Sequence, residues 1–536
     1  MADDKPKIGV GVKFDGGKVR SERENTITDE LPDTVSTDPD APFQIVVLGD
    51  FSGRAVDSQQ IDAKISSRRF IEVDRDNFDS VLQSFNINLQ LELNNSDSSS
   101  SDKPLVVPVK INELDDFHPD ELYEKLEIFS KLRSLRRRLK NNKTFTEAAT
   151  EVQSWLLSAD QAVDLDDTQE PETVETQKDA NEGAAGSLLD NILETQAQQP
   201  NSQRTTEATH IDKLIRSIVA PYVEAAADPR QDDLIATVDR ATQAHMRDIL
   251  HNSHFQSIES AWQSLYFLIK RIETDRKLKI FLLDISKQEL ETDVCVDDIS
   301  TSSVYSLFCD KAEGENPWAV MVGNYTFEDS VSDALCLSGI AKIASKAGAP
   351  FLAAASETLA CCESFSTTPD YEDWNYKPGN GALSAWEMLR NSSDAKYIGL
   401  ALPRFLLRLP YGDKSKPVDS FEFEEMPEDH CHNCYLWGNA AFIKVELLAR
   451  NFRKQGWSMK PGEVYQTDNL PLHYYKEDGE TVTKAVAEIY LTERGGEMLS
   501  ANGLMPVWSV KNMDSLRSSD FRSLHASGQL LKGRWA

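Results

Sequence analysis

Three consecutive segments differ in their patterns of hydropathy: PWAVMVG at Pro317–Gly323, SVSDALCLSGIAKIASK at Ser330–Lys346 and PFLAA at Pro350–Ala354. The first and third are short apolar runs, which are typical of strands buried on both faces of a sheet. The second is long enough for a helix, and Gly348 follows it as a C-cap. A strand, a helix, a capping glycine and a second strand form a βαβ unit with parallel pairing. The sequence therefore predicts an α/β core around this segment.

Apolar periodicity extends this pattern to most of the chain. FQIVVL at Phe43–Leu48 predicts another strand buried on both faces. The next residues, Gly49–Arg54, lack the lysine and hydroxyl of a phosphate loop, so they predict a tight turn. Further strands are predicted at 87–93, 105–111, 277–285, 396–402 and 485–491, the last before a short polar tail. Helices are predicted at 78–85 with Asp76 as cap, at 119–143, 211–223, 232–250, 255–272 and 438–452.

Charge and composition restrict the partners. The chain has 536 residues, a net charge of −31 and a pI near 4.7. Such a polyanion is repelled by nucleic acid and by anionic membrane surfaces. No apolar run is long enough to span a bilayer, and the N-terminus has no secretory pattern. Seven cysteines without framework spacing indicate reduced thiols, so we expect a soluble cytoplasmic protein. We also expect no cofactor.

An acidic stretch separates two globular parts. From Asp160 to Glu182 there are nine acidic side chains and a single basic one, Lys178, and no aromatic residue is present. Such a composition cannot bury enough apolar surface to fold, so residues 158–207 are predicted to be a disordered tether. Within it, residues 187–196 have the spacing of a short amphipathic helix. The helix would dock on its own protein or in the groove of a partner. Its first residues are Ser187 as N-cap, Leu188, Leu189, Asp190, Ile192 and Leu193.

A second isolated element precedes the first domain. In KIGVGVKF the side chains of Ile8, Val10, Val12 and Phe14 alternate onto one side, which predicts a half-buried strand. A polar arm then continues to residue 42, so the strand has no local partner. It either returns to its own sheet or adds to the edge of a neighbour's sheet.

The first half resembles a known family. The signature consists of Asp76-Asn77-Phe78-Asp79, the paired strands and Asp115-Asp116-Phe117 before a leucine-rich helix. This order resembles the small subunit of the type VI secretion contractile sheath (TssB or VipA) over residues 6–157. The resemblance implies that Lys7–Phe14 takes the place of that family's N-terminal strand, with Ile8, Val10, Val12 and Phe14 as intersubunit residues.

The second half resembles the large subunit of the same sheath (TssC or VipB) over residues 211–510. Its landmarks are Phe255-x-x-Ile258-Glu259-x-x-Trp262, Lys287, Gly348-Ala349-Pro350-Phe351, Leu409-Pro410-Tyr411-Gly412, Phe421-x-Phe423-Glu424-Glu425 and Tyr435-Leu436-Trp437-x-Asn439. The resemblance implies that the helix from Ser187 to Leu193 is recognised by a Clp-type AAA+ ATPase. It also implies other sheath subunits and an inner tube protein as partners.

Together the two resemblances predict a fold and a domain order. We expect a sheath-type α+β small-subunit half, joined by an acidic tether to an α/β large-subunit half with βαβ units. The domains would be a strand and arm at 1–42, a small-subunit domain at 43–157, the tether at 158–207 and a large-subunit domain at 208–536. The family's large subunit continues further, so we expect the last domain to lack the family's C-terminal region.

Three functions remain open. The chain is a structural subunit that polymerises by strand addition, or an adaptor, cap or baseplate component that binds a full-length large subunit. The third is a zinc enzyme using His430, Cys431, His432 and Cys434, but no second ligand pair of that kind exists in the sequence. The tryptophans at 262, 318, 386 and 437 lie in apolar periodic segments and are predicted to be core residues.

Overall fold

The computed structural model describes residues 39–54, 64–93, 105–160, 231–310, 317–427, 431–477, 479–518 and 520–535. The predicted strand at Lys7–Phe14, the acidic tether and the helix at 187–196 lie outside the described residues, as does the predicted helix at 211–223. For those elements the sequence-based expectations remain predictions.

The α-helices of seven or more residues are α1 (Phe78–Ser84), α2 (Pro119–Lys125), α3 (Glu127–Lys140), α4 (Phe145–Asp160), α5 (Gln231–Leu250), α6 (Ser253–Arg271), α7 (Lys287–Val294), α8 (Val331–Ala347), α9 (Asn380–Asn391), α10 (Ala441–Gln455) and α11 (Glu493–Ala501). The strands are β1 (Phe43–Gly49), β2 (Ile71–Val73), β3 (Ile87–Leu93), β4 (Leu105–Ile111), β5 (Leu278–Asp284), β6 (Trp318–Phe327), β7 (Phe351–Ala355), β8 (Ile398–Leu402), β9 (Phe405–Leu406), β10 (Trp437–Gly438), β11 (Gln466–Thr467), β12 (Tyr474–Glu477), β13 (Glu480–Thr483), β14 (Leu504–Ser509) and β15 (Leu516–Ser518).

One mixed sheet of nine strands organises the described chain, in the order β11-β15-β14-β8-β7-β6-β1-β5-β2. Neighbours from β14 through β5 pair in parallel, whereas β2, β15 and β11 each pair antiparallel. The sequence-based prediction of an α/β fold with βαβ units is confirmed by this arrangement. The predicted unit is β6-α8-β7, in which the Ser330 hydroxyl accepts from the Asp333 amide and Gly348 ends the helix with φ +66°.

Strand β1 lies between two strands that come much later in the chain. It pairs in parallel with β5 on one side, where Val47 faces Leu282, and with β6 on the other, where Val47 faces Val322. Phe43 and Ile45 are fully buried, as expected for a strand covered on both faces. The first half of the chain therefore supplies a central strand to the sheet of the second half.

The first half also supplies β2 at the edge of this sheet, and its other two strands lie beside it. Strands β3 and β4 form a separate antiparallel pair, with Ile87 facing Ile111. The four inward side chains of β3, at every second position, are at most 2% exposed. The alternation in the sequence thus becomes one buried and one solvated face, as predicted.

Trp262 of α6 is the centre of the packing between the halves. Its ring lies 5.3 Å from that of Phe51, 5.8 Å from that of Phe78 and 5.2 Å from that of Phe85, all edge-on. Its indole N–H donates to the backbone oxygen of Phe51 at 2.9 Å. Such edge-on aromatic pairs add stabilisation beyond burial of area. Phe78 belongs to the first half's signature, so this signature residue serves the contact between halves.

Three local predictions were wrong. The helix expected from Pro119 is interrupted at Leu126, whose ψ of 134° separates α2 from α3. Asp76 does not cap α1; instead the Asp74 carboxylate accepts the amide protons of Asp76 and Asn77. Residues 485–491 form only an isolated bridge at Ala487, although most of them are buried.

The polar tail expected after residue 491 was also wrong. Residues 493–518 form α11, β14 and β15, and β14 pairs in parallel with β8. Pro506 lies inside β14, and a proline within an apolar run argues against a strand when only the sequence is read. None of the described helices combines the length and apolar character needed to cross a bilayer.

We expect the halves to stay together after the chain is cut between them. A specific protease site placed after Glu182 should yield fragments that co-migrate on gel filtration, because β1 is hydrogen-bonded to both β5 and β6. The same digest in denaturant should separate into two species. Two separate native monomers would contradict the shared sheet.

Candidate functional site

A buried ionic cluster lies where the second half meets the first. The Arg408 guanidinium sits between two carboxylates, with Nε 2.7 Å from Glu259 Oε1 and Nη1 2.9 Å from Glu425 Oε2. All three side chains are buried, with exposed residue fractions of 6%, 0% and 1%. Charged groups are rarely this buried unless they are paired. We define Glu259, Arg408 and Glu425 as the ionic junction.

Each member comes from a different part of the chain. Glu259 lies on the apolar side of α6, one residue after the fully packed Ile258. Arg408 follows β9 within the apolar run Phe405–Leu409. Glu425 ends the Phe421–Glu425 segment, which has no regular secondary structure. The sheet fold brings these separate segments together.

The electrostatics of the two carboxylates differ. Burial raises the pKa of Glu259, and Arg408 opposes this shift without cancelling it. Burial also acts on Glu425, but Arg408, His251 and the Tyr411 amide outweigh it and lower the pKa of Glu425 to about 2. The Tyr411 amide donates to Glu425 at 2.7 Å, and His251 Nε2 lies 3.6 Å from its carboxylate. Glu425 is therefore the more strongly held anion.

Tyr411 covers the junction with its ring. The Arg408 guanidinium carbon lies 4.3 Å from the ring centroid, and Lys416 Nζ lies 4.6 Å from it. Burial raises the pKa of the Tyr411 hydroxyl above its usual range, so the ring stays neutral. A Cβ on Gly412 would come within 2.1 Å of Glu424 Oε2, so a larger residue there would displace the exposed Glu424 side chain.

The first half contacts the same loop. The His118 ring meets the Tyr411 ring at 4.8 Å, and Tyr123 stacks on Phe421 at 4.4 Å. The Asp120 carboxylate accepts the backbone amide protons of Asp419 and Ser420, at 3.2 and 2.8 Å. Helix α2 of the first half is thereby attached to the loop that carries the ionic junction.

The His/Cys cluster is part of a different network. His430 lies outside the described residues, and His432 lies between Glu488 Oε1 at 3.2 Å and Lys484 Nζ at 3.1 Å. Glu488 also pairs with Arg404. Among the side chains that the structure describes, no group of three histidine, cysteine or acidic residues is placed to hold a metal ion.

The remaining sequence-based candidates divide into two sets. Trp262, Trp386 and Trp437 are buried as predicted, and Trp318 is partly buried. The proposed assembly residues Ile8, Val10, Val12, Phe14 and Ser187–Leu193 lie outside the described chain. Arg408 was not among the sequence-based candidates. Its signal is a single charge inside an apolar run, which requires a buried counter-charge.

Removing the guanidinium of the ionic junction should destabilise the fold strongly. Arg408→Met leaves two buried carboxylates without their partner, a change that typically costs about 3–5 kcal/mol. Glu259→Gln and Glu425→Gln in the same chain should recover part of that loss. The measurement is the free energy of unfolding in urea.

Arg453→Met is the matched control for that measurement. Arg453 pairs with Asp275 at 2.7 Å, but these side chains are 31% and 44% exposed. An exposed pair contributes about 0–1 kcal/mol. Equal losses for Arg408→Met and Arg453→Met would show that the ionic junction is not a special constraint.

Comparison with known proteins places both halves. Residues 232–525 match the family model described as VipB: EvpB/VC_A0108, tail sheath N-terminal domain. Residues 17–167 match the model described as Type VI secretion system, VipA, VC_A0107 or Hcp2. Both are families of structural sheath proteins, not of enzymes.

Two curated proteins of Pseudomonas aeruginosa are similar to the two halves. Type VI secretion system sheath protein TssC1 is 32% identical over 332 residues, which are 59% of this chain and 66% of the relative. Type VI secretion system sheath protein TssB1 is 26% identical over 118 residues, 22% of this chain and 66% of the relative. The matched region of this chain thus spans slightly less than two thirds of each relative.

The match to the VipB model alone covers more than half of the chain, and the match to the VipA model lies N-terminal to it. Phe78 of the VipA-type half packs on Trp262 of the VipB-type half, and His118 packs on Tyr411 beside the ionic junction. The chain belongs to the VipB tail-sheath family of the type VI secretion system, and it carries a VipA-type small-subunit domain in the same polypeptide.

Proposed function

We propose that this chain is a structural protomer of a type VI secretion contractile sheath, in which one polypeptide supplies the small- and the large-subunit domains. The observation that carries the proposal is the position of β1, which comes from the VipA-type half and pairs on both sides with strands of the VipB-type half. A single chain thus forms the unit that two separate subunits would form together.

Assembly would proceed by strand addition between protomers. The alternating strand of Ile8, Val10, Val12 and Phe14 precedes a polar arm long enough to reach another molecule. An added strand gains affinity from main-chain hydrogen bonds and specificity from its inward side chains. Other copies of this chain and a full-length large subunit are the proposed acceptors, and the inner tube protein is the proposed content of the assembly.

Disassembly would use the helix that begins at Ser187. Leu188, Leu189, Ile192 and Leu193 form its apolar face, which a Clp-type AAA+ ATPase would bind in a groove. Four apolar side chains would give a dissociation constant no lower than about 1 μM, which is a binding free energy of ~8 kcal/mol. Ordering and association entropy offset most of the gain from burial of their surface. Repetition along a sheath would raise the apparent affinity.

The purified chain should form tubes in negative-stain microscopy, and Val10→Pro should abolish them. Proline removes an amide donor and fixes φ, which a paired strand does not tolerate. The thermal unfolding midpoint of the monomer should stay unchanged, since the strand is proposed to pair with another molecule.

Thr28→Pro in the polar arm is the control and should assemble like the parent chain. Tubes that form only after a full-length large subunit is added would favour an adaptor or cap over a self-sufficient protomer. Normal tubes from Val10→Pro would overturn the proposed strand addition.

Leu189→Asp with Ile192→Asp should abolish binding to the N-terminal domain of the ATPase while leaving the melting temperature unchanged. The charges are placed on the apolar face that the groove would bury. Fluorescence anisotropy with the whole chain measures the affinity.

The matched control is Asn191→Asp with Gln198→Asp, which adds the same charge away from the apolar face. This variant should bind as the parent chain does. A large drop in melting temperature for the apolar-face variant, with ATPase binding intact, would assign the helix a purely structural role.

A further inference from the structure

A cationic groove runs along α3 in the VipA-type half. Its cavity has a volume of about 410 Å³ and is lined by Tyr123, Glu124, Arg133, Arg136, Arg137, Lys140 and Ser420. Positions 133, 137 and 140 recur at helical spacing and form one stripe on α3. We call this surface the α3 groove. It is unusual in a chain with a net charge of −31.

Two of its four cations already have partners. Arg136 makes a bidentate pair with Asp239 of α5, at 2.6 and 3.0 Å. Arg133 donates to the backbone oxygen of Glu124 and lies 5.1 Å from the Tyr123 ring centroid. These contacts hold Arg133 and Arg136 in the wall of the groove, so both side chains have less positive charge available for a ligand.

Arg137 and Lys140 carry the uncompensated charge. Both are exposed. Within the described ranges no carboxylate comes within ion-pair distance of either side chain. Among the described lining residues of the groove, the acidic one is Glu124. The groove therefore offers two cations on α3, and it fits an anionic segment rather than an apolar one.

The chain itself contains a segment of that chemistry. Between Asp164 and Asp179 seven carboxylates stand against the single Lys178. The segment begins four residues after the end of α4, and α4 is joined to α3 by the pair of Arg138 and Glu151 at 2.5 Å. Sixteen extended residues reach about 50 Å, more than twice the ~21 Å length of α3.

The return of the chain also leads to the same helix. Gln231 is the first residue of α5, and its side chain donates to the backbone oxygen of Leu139 at 2.6 Å. Residues 161–230 therefore leave from a helix packed on α3 and re-enter at the C-terminal end of α3. A tether of this kind gives its acidic residues an effective concentration in the millimolar range at the groove.

We propose that the α3 groove binds the acidic segment Asp164–Asp179 of the same polypeptide. Arg137 and Lys140 pair with its carboxylates, and the contact is electrostatic and sensitive to salt. The inference is independent of sheath assembly, since it concerns contacts within one chain. Its consequence is that residues 187–196 are held near α3 when the segment is bound.

Zero-length carbodiimide cross-linking of the whole chain tests this proposal. Lys140 should couple to carboxylates between Asp164 and Asp179 at low salt, and the yield should fall at high salt. Arg137→Glu should reduce the yield at Lys140 by about fivefold, the factor that ~1 kcal/mol represents. Lys140 is retained in this variant as the reporter.

Lys110→Glu is the matched control, because Lys110 is exposed on β4 and does not line the groove. It changes the net charge equally and should leave the yield unchanged. An equal effect of both variants, or no coupling of Lys140 to the segment, would overturn the proposal. In a mixture of ¹⁴N and ¹⁵N chains, cross-links of mixed isotope would assign the groove to a second copy and would also overturn it.

Discussion

The pairing of β1 on both edges is the constraint on which the structure depends. Residues Phe43–Gly49 of the VipA-type half pair with β5 of the VipB-type half, and residues 44–48 also pair with β6. A central strand cannot leave a sheet without exposing two rows of backbone donors and acceptors. The contacts around Trp262 and the stacking of Tyr123 on Phe421 add to an association that the backbone already requires. The two family domains are therefore parts of one folded unit.

The strand order resembles that of ligand-binding doubly wound folds, but the usual ligand region is filled by the protein itself. With β5 on one side of β1 and β6, β7 and β8 on the other, the order matches the flavodoxin-like arrangement, in which ligands bind outside the carboxyl ends of the strands. Here the turn after β1 occupies that region. The Asp284 carboxylate at the end of β5 accepts the Phe51 amide at 2.8 Å and pairs with Arg54 at 2.7 Å. The protein's own polar groups satisfy each other where an enzyme of this topology would bind a ligand.

Strong local patterns made most of the fold predictable. The apolar run of β1, the alternation of β3 and the capping glycine Gly348 each specified an element correctly. The position of β1 inside the other half's sheet was not predictable, because pairing over more than 200 residues leaves no local signal. Strand β14 was not predicted because Pro506 lies within it. The break between α2 and α3 was not predicted because it falls at Leu126, with no glycine or proline there to indicate it. In the ionic junction, Glu259 and Glu425 lie in motifs that resemble the large subunit. Arg408 lies outside those motifs, and its role follows only from its position between the two carboxylates in the fold.

The order of the strands along the chain has a consequence for synthesis. Val47 emerges from the ribosome well before its partners Leu282 and Val322. At 5–20 residues per second the interval before both neighbours exist is roughly 15–55 s. During that time an apolar strand has no sheet to join, which makes the nascent chain a candidate for chaperone binding. In exchange, translation delivers the two domains in a fixed one-to-one ratio, which separately made subunits could reach only by balanced expression.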